Sequence, residues 1–449
     1  MYIRQVESEP KDQLSREPEQ PAKPNQEEKQ MKKTIVTMLA AMAAALMFAA
    51  GSIQAKDLSG QLEIFSWWAG DEGPALQALI DLYKKENPNV EVINATVTGG
   101  SGVNAKAVLK TRMLGGEPPD SFQVHAGQEL IGTWVKADRM EDLTFLFKEQ
   151  GWMNAFPEGL VKLIGTDTGI WSVPVNIHRS NVIWYIPANL DKWGIKAPQS
   201  WDDFFAVAPK LKEQGIVPLA LAQNWTANHL WESVALAAVG PDNWDALWSG
   251  KLAFDSPEGV KAWELFGKVL EFTNDDASSL SWQQATDMVV DGRAAFNVMG
   301  DWAAGYMSTT KKLAPGSGFG WAASPGTSGQ FMFLADSFGL PKGAPDRDNV
   351  LAWLTLLGSK EGSDAFNPLK GSISARTDSD LSKYNDYAKS ASADFGKDRI
   401  VGSLAHGVTA NEGFMNDFAS VMEMFLKSRN AEAAAKAAQQ IAVKNGVSM

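Results

Sequence analysis

From about residue 56 onward, short apolar runs alternate with amphipathic stretches. Leu62-Glu63-Ile64-Phe65 predicts a strand, and the chain leaves it through Ser66-Trp67-Trp68-Ala69-Gly70. Pro74 then opens a helix with Leu76, Leu79, Ile80 and Tyr83 on one face, closed before Pro88. Residues 90–97 predict a second strand, 103–114 a helix ending at Gly115-Gly116, 120–124 a third strand and 127–134 a third helix. Strand and helix alternate, which predicts a parallel α/β sheet.

A second α/β block follows. Ser200, with Asp203 three residues on, caps a helix; 216–221 and 292–299 read as strands; 229–238 and 257–272 read as helices, the latter capped by Ser256 with Pro257 at its first position. Residues 331–340 read as one continuous strand, after which the chain is mostly helical, with an Ala- and Lys-rich helix at 432–443. There is no internal repeat and no long linker, so two lobes sharing crossovers are expected rather than separate beads.

The N-terminus has a different character. Residues 1–30 are rich in Glu, Gln, Pro and Lys and read as a disordered extension, an artefact of start-site choice if Met31 is the true start. Residues 31–55 have the layout of a cleavable signal peptide, with Lys32 and Lys33 before an apolar stretch and a small residue at Ala55. The mature chain would begin near Lys56 and work in the periplasm.

Composition narrows the class of ligand. The 449 residues are 45% hydrophobic and 21% charged, and the net charge of -12 argues against nucleic acid and anionic membranes as partners. With no cysteine, disulfides, a thiolate nucleophile and Cys-ligated zinc are excluded. Signatures of a nucleophile elbow, a phosphate-binding loop, a zinc protease and a dinucleotide fold are missing too, so no enzyme is expected. The four histidines, His125, His178, His229 and His406, are far apart in sequence with no i, i+4 pair, and a metal site is not expected.

Tryptophan is the unusual number, 17 in all. Those inside helices, such as Trp201, Trp263 and Trp353, read as core. Trp67 and Trp68 differ, because neighbours on a strand face opposite sides and one core face cannot take both. At the carboxyl end of a strand they reach the crevice where α/β sheets bind ligands, and indole faces suit the C–H faces of a sugar. Glu72 reads either as a helix-start carboxylate or as an acceptor for sugar hydroxyls. Gln123 and His125 share a face at a strand end. Asp336 interrupts an apolar run and must cap something or meet a ligand. Lys370 by itself reads as a surface lysine. Glu72 and Asp336 leave open a glycosidase, which needs only two nearby carboxylates and stacking platforms.

Phe65-Ser66-Trp67-Trp68 with Gly70 and Glu72, Pro118-Pro119-Asp120, Trp171-Ser172-Val173-Pro174, Asp291-Gly292-Arg293-Ala294-Ala295-Phe296, Met299-Gly300-Asp301-Trp302 and the 370–376 segment together resemble the extracellular solute-binding proteins of ABC sugar importers (family 1). The double Trp, Gln123, His125 and Leu404-Ala405-His406-Gly407 resemble the glucose/mannose-binding branch.

The resemblance implies an α/β periplasmic-binding-protein fold of class II-like topology, with hinge crossovers between two α/β lobes and a helical C-terminal region. Residues 56–174 and 331–374 would form one lobe, and 175–330 and 375–449 the other. It further implies ring stacking by Trp67 and Trp68, hydroxyl contacts from Glu72, Gln123, His125, Asp336, Lys370 and His406, closure by Trp282, and weaker roles for Asn176 and His178. The implied function is a monomeric, cofactor-free receptor that binds a monosaccharide, glucose foremost, then mannose or galactose, and delivers it to a membrane permease. A receptor-coupled sugar sensor would share the same site.

Overall fold

A computed structural model describes residues 58–447, so the expectations for the N-terminal extension, the signal peptide and the start at Lys56 lie outside the described residues. A five-stranded sheet runs in the order Val90–Asn94, Gly60–Phe65, Ser121–His125, Asp336–Gly339, Ser172–Pro174. Its first three strands are parallel. The last two break the expected parallel pattern, because Asp336–Gly339 runs antiparallel to both its neighbours. That strand comes directly from another sheet, without the helical crossover a parallel neighbour requires.

A second sheet joins Gly320–Ala323, Val182–Tyr185, Ala294–Val298 and Val217–Ala220. A third joins Ile373–Ser374, Asn176–Arg179, Gln330–Leu334 and Arg399–Gly402. The chain passes between the first and third sheets twice by single residues, Val175 and Ala335. The continuous strand expected at 331–340 is therefore two strands in two sheets, Gln330–Leu334 and Asp336–Gly339, broken at Ala335. Both halves are buried, so the apolar run carries no polar residue before Asp336 to mark the break.

Most helices follow their local signals. Gly73–Glu86 buries Leu76, Leu79, Ile80 and Tyr83, and Val103–Gly115 stops at Gly116, whose φ of 79° is the left-handed cap. Ser200 and Asp203 close a reciprocal capping box, and Ser256 caps the helix from Pro257. The helix expected at 229–238 is longer, Asn224–Trp248, with a kink at Gly240 before Pro241. The helix expected at 127–134 is instead a π-wound turn, Glu129–Val135, which turns Glu129 back toward His125. Among the described residues no helix is long and apolar enough to cross a membrane.

Candidate functional site

The site begins at the two crossovers. Asp336 opens its strand directly beside Asn176, and the two bond reciprocally. The Asp336 backbone N–H donates to Asn176 Oδ1, and Asn176 Nδ2 donates to Asp336 Oδ2, both at 2.8 Å. Gln123, on the neighbouring strand, donates from Nε2 to Asp336 Oδ1 at 2.8 Å and accepts from the backbone N–H of Trp67 at 3.2 Å. His125 Nε2 and His178 Nε2 lie 3.6 and 3.5 Å from the two carboxylate oxygens. Burial raises the Asp336 carboxyl, but the hydrogen bond from His178 and the charges of His125, His178 and Lys370 hold it well below the carboxylate range.

Each imidazole is oriented by its own acid. Glu129 accepts from His125 Nδ1 at 2.8 Å and from Lys106 Nζ at 2.6 Å. Burial works against that charge, yet Lys106 and His125 bring the Glu129 carboxyl to about 2. Asp301 takes the Nδ1 side of His178 and also accepts from the Arg179 backbone at 3.0 Å. Burial lowers the imidazole of His178, and Asp301 outweighs it.

The structure corrects the surface reading of Lys370. The residue is 4% exposed and its ammonium lies 2.6 Å from Glu72 Oε1. Burial raises Glu72 despite this partner, and Lys370 is raised because Glu72 and Asp336 outweigh its own burial. The same ammonium lies 5.9 Å from the rings of both Trp68 and Trp302.

The two tryptophans of the adjacent pair lie just past the end of the Gly60–Phe65 strand and meet different neighbours. Trp68 is buried against Phe338 and Phe366, whereas Trp67 meets the His125 ring at 5.2 Å. Trp282 packs on Tyr306 at 5.5 Å and has no ring contact with the other candidates. Its neighbour Gln283 donates to Asp71, next to Glu72, at 3.0 Å, which ties that helix to the Glu72 turn.

The four histidines, remote in sequence, converge. Ring centroids of His406 lie 5.5 Å from His125, 5.4 Å from His229 and 5.1 Å from Trp302, which in turn meets His178 at 5.5 Å. Trp302, Asp301, Glu129, Lys106, His229 and Glu232 are the participants that sequence reasoning did not select. Trp302 carried the same signal as Trp67–Trp68, an aromatic just past the carboxyl end of a strand. Glu232 stood as a lone charge in an apolar helical run.

His229, Glu232 and His406 bring a nitrogen or oxygen each within 4.8 Å of one another, a spacing a metal ion can use. Both Glu232 oxygens, however, already accept from Ser180 and Ser403 and from the backbone N–H groups of Leu404 and Ala405. This cluster is a hydrogen-bonded anchor for the 403–406 turn. Beside it, His125, Trp225, Asn228, His406 and Glu412 border a cavity of about 440 Å³, within the usual ~300–1,000 Å³ of small-molecule sites. A wider groove of about 1100 Å³, along Lys212, Asn274 and Arg293, holds none of the candidate residues.

Two α/β lobes, single-residue crossovers and a polar, aromatic-lined cluster at those crossovers define a two-lobed solute-binding protein. Residues 68–364 match the bacterial extracellular solute-binding proteins, and the chain belongs to that family. It is 35% identical over 382 residues to an uncharacterised ABC transporter extracellular-binding protein of Pyrococcus horikoshii, covering 84% of this chain and 86% of that one. It is 32% identical over 396 residues to a probable sugar-binding periplasmic protein of Mesorhizobium japonicum, covering 86% and 93%. In fold it is similar to the solute receptor AcbH, at a TM-score of 0.76 and 18% identity, covering 87% of this chain and 99% of that one.

Proposed function

We propose that this chain is the substrate-binding component of an ABC sugar importer. It binds one hexose between its lobes, glucose first with mannose and galactose as alternatives, and hands it to the membrane permease. The observation that carries this reading is Asp336, a buried carboxylate at the crossovers that faces Gln123, Asn176, His125 and His178 together. A sugar hydroxyl both donates and accepts. A buried sugar is therefore held only where planar polar groups match it and aromatic faces take its C–H surfaces. Trp67, Trp68, Glu72, Gln123, His125, Asp336, Lys370 and His406 form the main wall of that site in our reading, with Asn176 and His178 at the hinge and Trp282 closing the pocket from the other lobe.

We read the lobes as 56–174 with 331–374 and 175–330 with 375–449; the crossover at Val175 supports the first boundary, whereas the one at Ala335 leaves Gln330–Leu334 in the sheet of Asn176–Arg179 and moves the second boundary to 335. A ligand touching both lobes favours the closed state by its differential contacts alone. The Mesorhizobium relative is named as a probable sugar-binding periplasmic protein, which supports a periplasmic sugar receptor rather than an enzyme; we take the receptor to be a monomer without a cofactor. AcbH is described as having an exclusive preference for b-D-galactopyranose, so this fold accommodates a single hexose.

The test is a thermal-shift and titration panel of glucose, galactose, mannose, xylose and maltose on protein starting at Lys56. A hexose is expected to raise the melting temperature, because it binds only the folded state. A shift with maltose alone overturns the monosaccharide reading, and no shift with any sugar overturns the function.

A further inference from the structure

Glu232 lies on the Asn224–Trp248 helix, fully buried, yet it is no ligand candidate. Its Oε2 accepts from Leu404 N at 2.7 Å, Ala405 N at 2.9 Å and Ser403 Oγ at 2.9 Å, and its Oε1 accepts from Ser180 Oγ. Ser403 Oγ also lies 2.9 Å from His406 Nδ1. A hydroxyl has one proton, and an ionised carboxylate accepts only. Ser403 therefore gives its proton to Glu232, and His406 must donate from Nδ1. That leaves Nε2 of His406 as the acceptor nitrogen.

We propose that Glu232 is a positioning residue of the sugar pocket, holding the 403–406 turn and fixing, through Ser403, the tautomer in which His406 accepts a ligand hydroxyl. The proposal rests on His406 being a sugar contact, as in the function proposed above. Protonation of Glu232 reverses the relay. The acid donates to Ser403, Ser403 donates to His406 Nδ1, and Nε2 becomes a donor.

The titratable groups facing Glu232 are His229 on its own helix, at 3.6 Å, and His406 on the turn, at 4.0 Å. Burial brings His229 to about 3 and His406 well below its usual value, so both are neutral near pH 7. Arg179, next to Ser180, is turned away to Asp394. Burial brings Glu232 itself to about 7, against its four donors, so the relay reverses within an accessible pH range. Glu412, which borders the neighbouring cavity, is likewise raised to about 7 by burial and needs its own control.

The experiment is calorimetric titration of glucose, with galactose and mannose in parallel, into wild type, Glu232→Gln, Ser403→Ala, His406→Ala, Glu412→Gln and Asp336→Asn at pH 8, 7 and 6. Wild-type affinity is expected to fall from pH 8 to 6. Glu232→Gln should bind about 5- to 100-fold more weakly at pH 8, the range for one buried hydrogen bond lost, with little further pH dependence. Ser403→Ala, which keeps the carboxylate and its backbone donors, should be weakened similarly, and Glu412→Gln should keep the wild-type pH step. Adding Glu232→Gln to His406→Ala should weaken binding no further.

A cooperatively folded Glu232→Gln or Ser403→Ala that binds as tightly as wild type at pH 8 overturns the inference. So does a pH step that survives Glu232→Gln. If Asp336→Asn and His406→Ala are weakened while Glu232→Gln is not, this inference alone fails. If wild type binds none of the three hexoses, or Asp336→Asn and His406→Ala bind unchanged, the functional reading fails with it.

Discussion

Asn176 and Asp336 bond each other twice, backbone to side chain and side chain to side chain, at the point where both single-residue crossovers pass. The same carboxylate that would receive the ligand is thus fastened to the hinge, so closing the hinge and shaping the pocket involve one group. Asn176→Ala removes an acceptor from a buried N–H and a donor from a buried carboxylate. A stability loss of about 1–3 kcal/mol is expected from denaturant melts, together with weaker glucose binding. Loss of stability with unchanged affinity would separate the hinge from the pocket.

Buried Lys370 and half-buried Glu72 form a pair that closes the Trp68 end of the site. Lys370→Met leaves a largely desolvated carboxylate uncompensated and should destabilise the fold by about 1–3 kcal/mol. The double variant Glu72→Gln with Lys370→Met should recover most of that stability without recovering sugar affinity. A double-mutant cycle on melting free energies checks the coupling. If the double variant is no more stable than Lys370→Met alone, the pair does not act as a unit.

The local grammar of the chain was legible: the strand before Trp67–Trp68, the capping box at Ser200 and the glycine stop at Gly116 all depend on neighbouring residues. Ala335 was not legible, because buried strands on either side of a crossover are equally apolar and no periodicity changes between them. The convergence of the histidines was hidden for another reason. His125, His178, His229 and His406 are brought together only by sheet order and by the packing of the 403–406 turn, which no local spacing encodes. Lys370 reads as exposed on sequence because a lysine's default is water, and its partner Glu72 lies about 300 residues away in sequence.

Gly371 follows Lys370 at a φ of 85°, and its α-carbon faces the backbone of Gly305. A Cβ on either glycine would collide with the main chain of the other segment, at Lys370 on one side and Gly305 on the other. Gly371→Ala therefore meets left-handed strain of roughly 1–2 kcal/mol and a clash that no side chain can relieve by turning. The expected outcome is a melting temperature lower by several degrees and a Lys370 displaced from Glu72, read as weakened glucose binding. An unchanged melt would show that the two backbones separate freely.

Glu232 also makes the stability of the fold depend on pH, in the opposite sense to sugar affinity. Its carboxyl is raised from 4.5 to about 7 in the folded chain, so the contribution to stability is fully present below about pH 4.5 and lost as pH rises through 7. A shift of that size corresponds to about 3 kcal/mol. His229 works oppositely. Brought to about 3 by burial, it contributes stability above pH 6.5 that is lost as pH falls, so the wild-type profile mixes the two. Glu232→Gln leaves His229 in place, and the difference between the two proteins isolates the carboxyl. The Gln variant should gain on wild type by about 3 kcal/mol between pH 4.5 and 8, measured by urea melts at each pH without sugar. Sugar affinity moves the other way, because the ionised form that strains the fold is the one that orients His406. A stability difference that stays constant from pH 5 to 8 would mean that Glu232 does not titrate in this range, and the pH-dependent relay would have no proton to respond to.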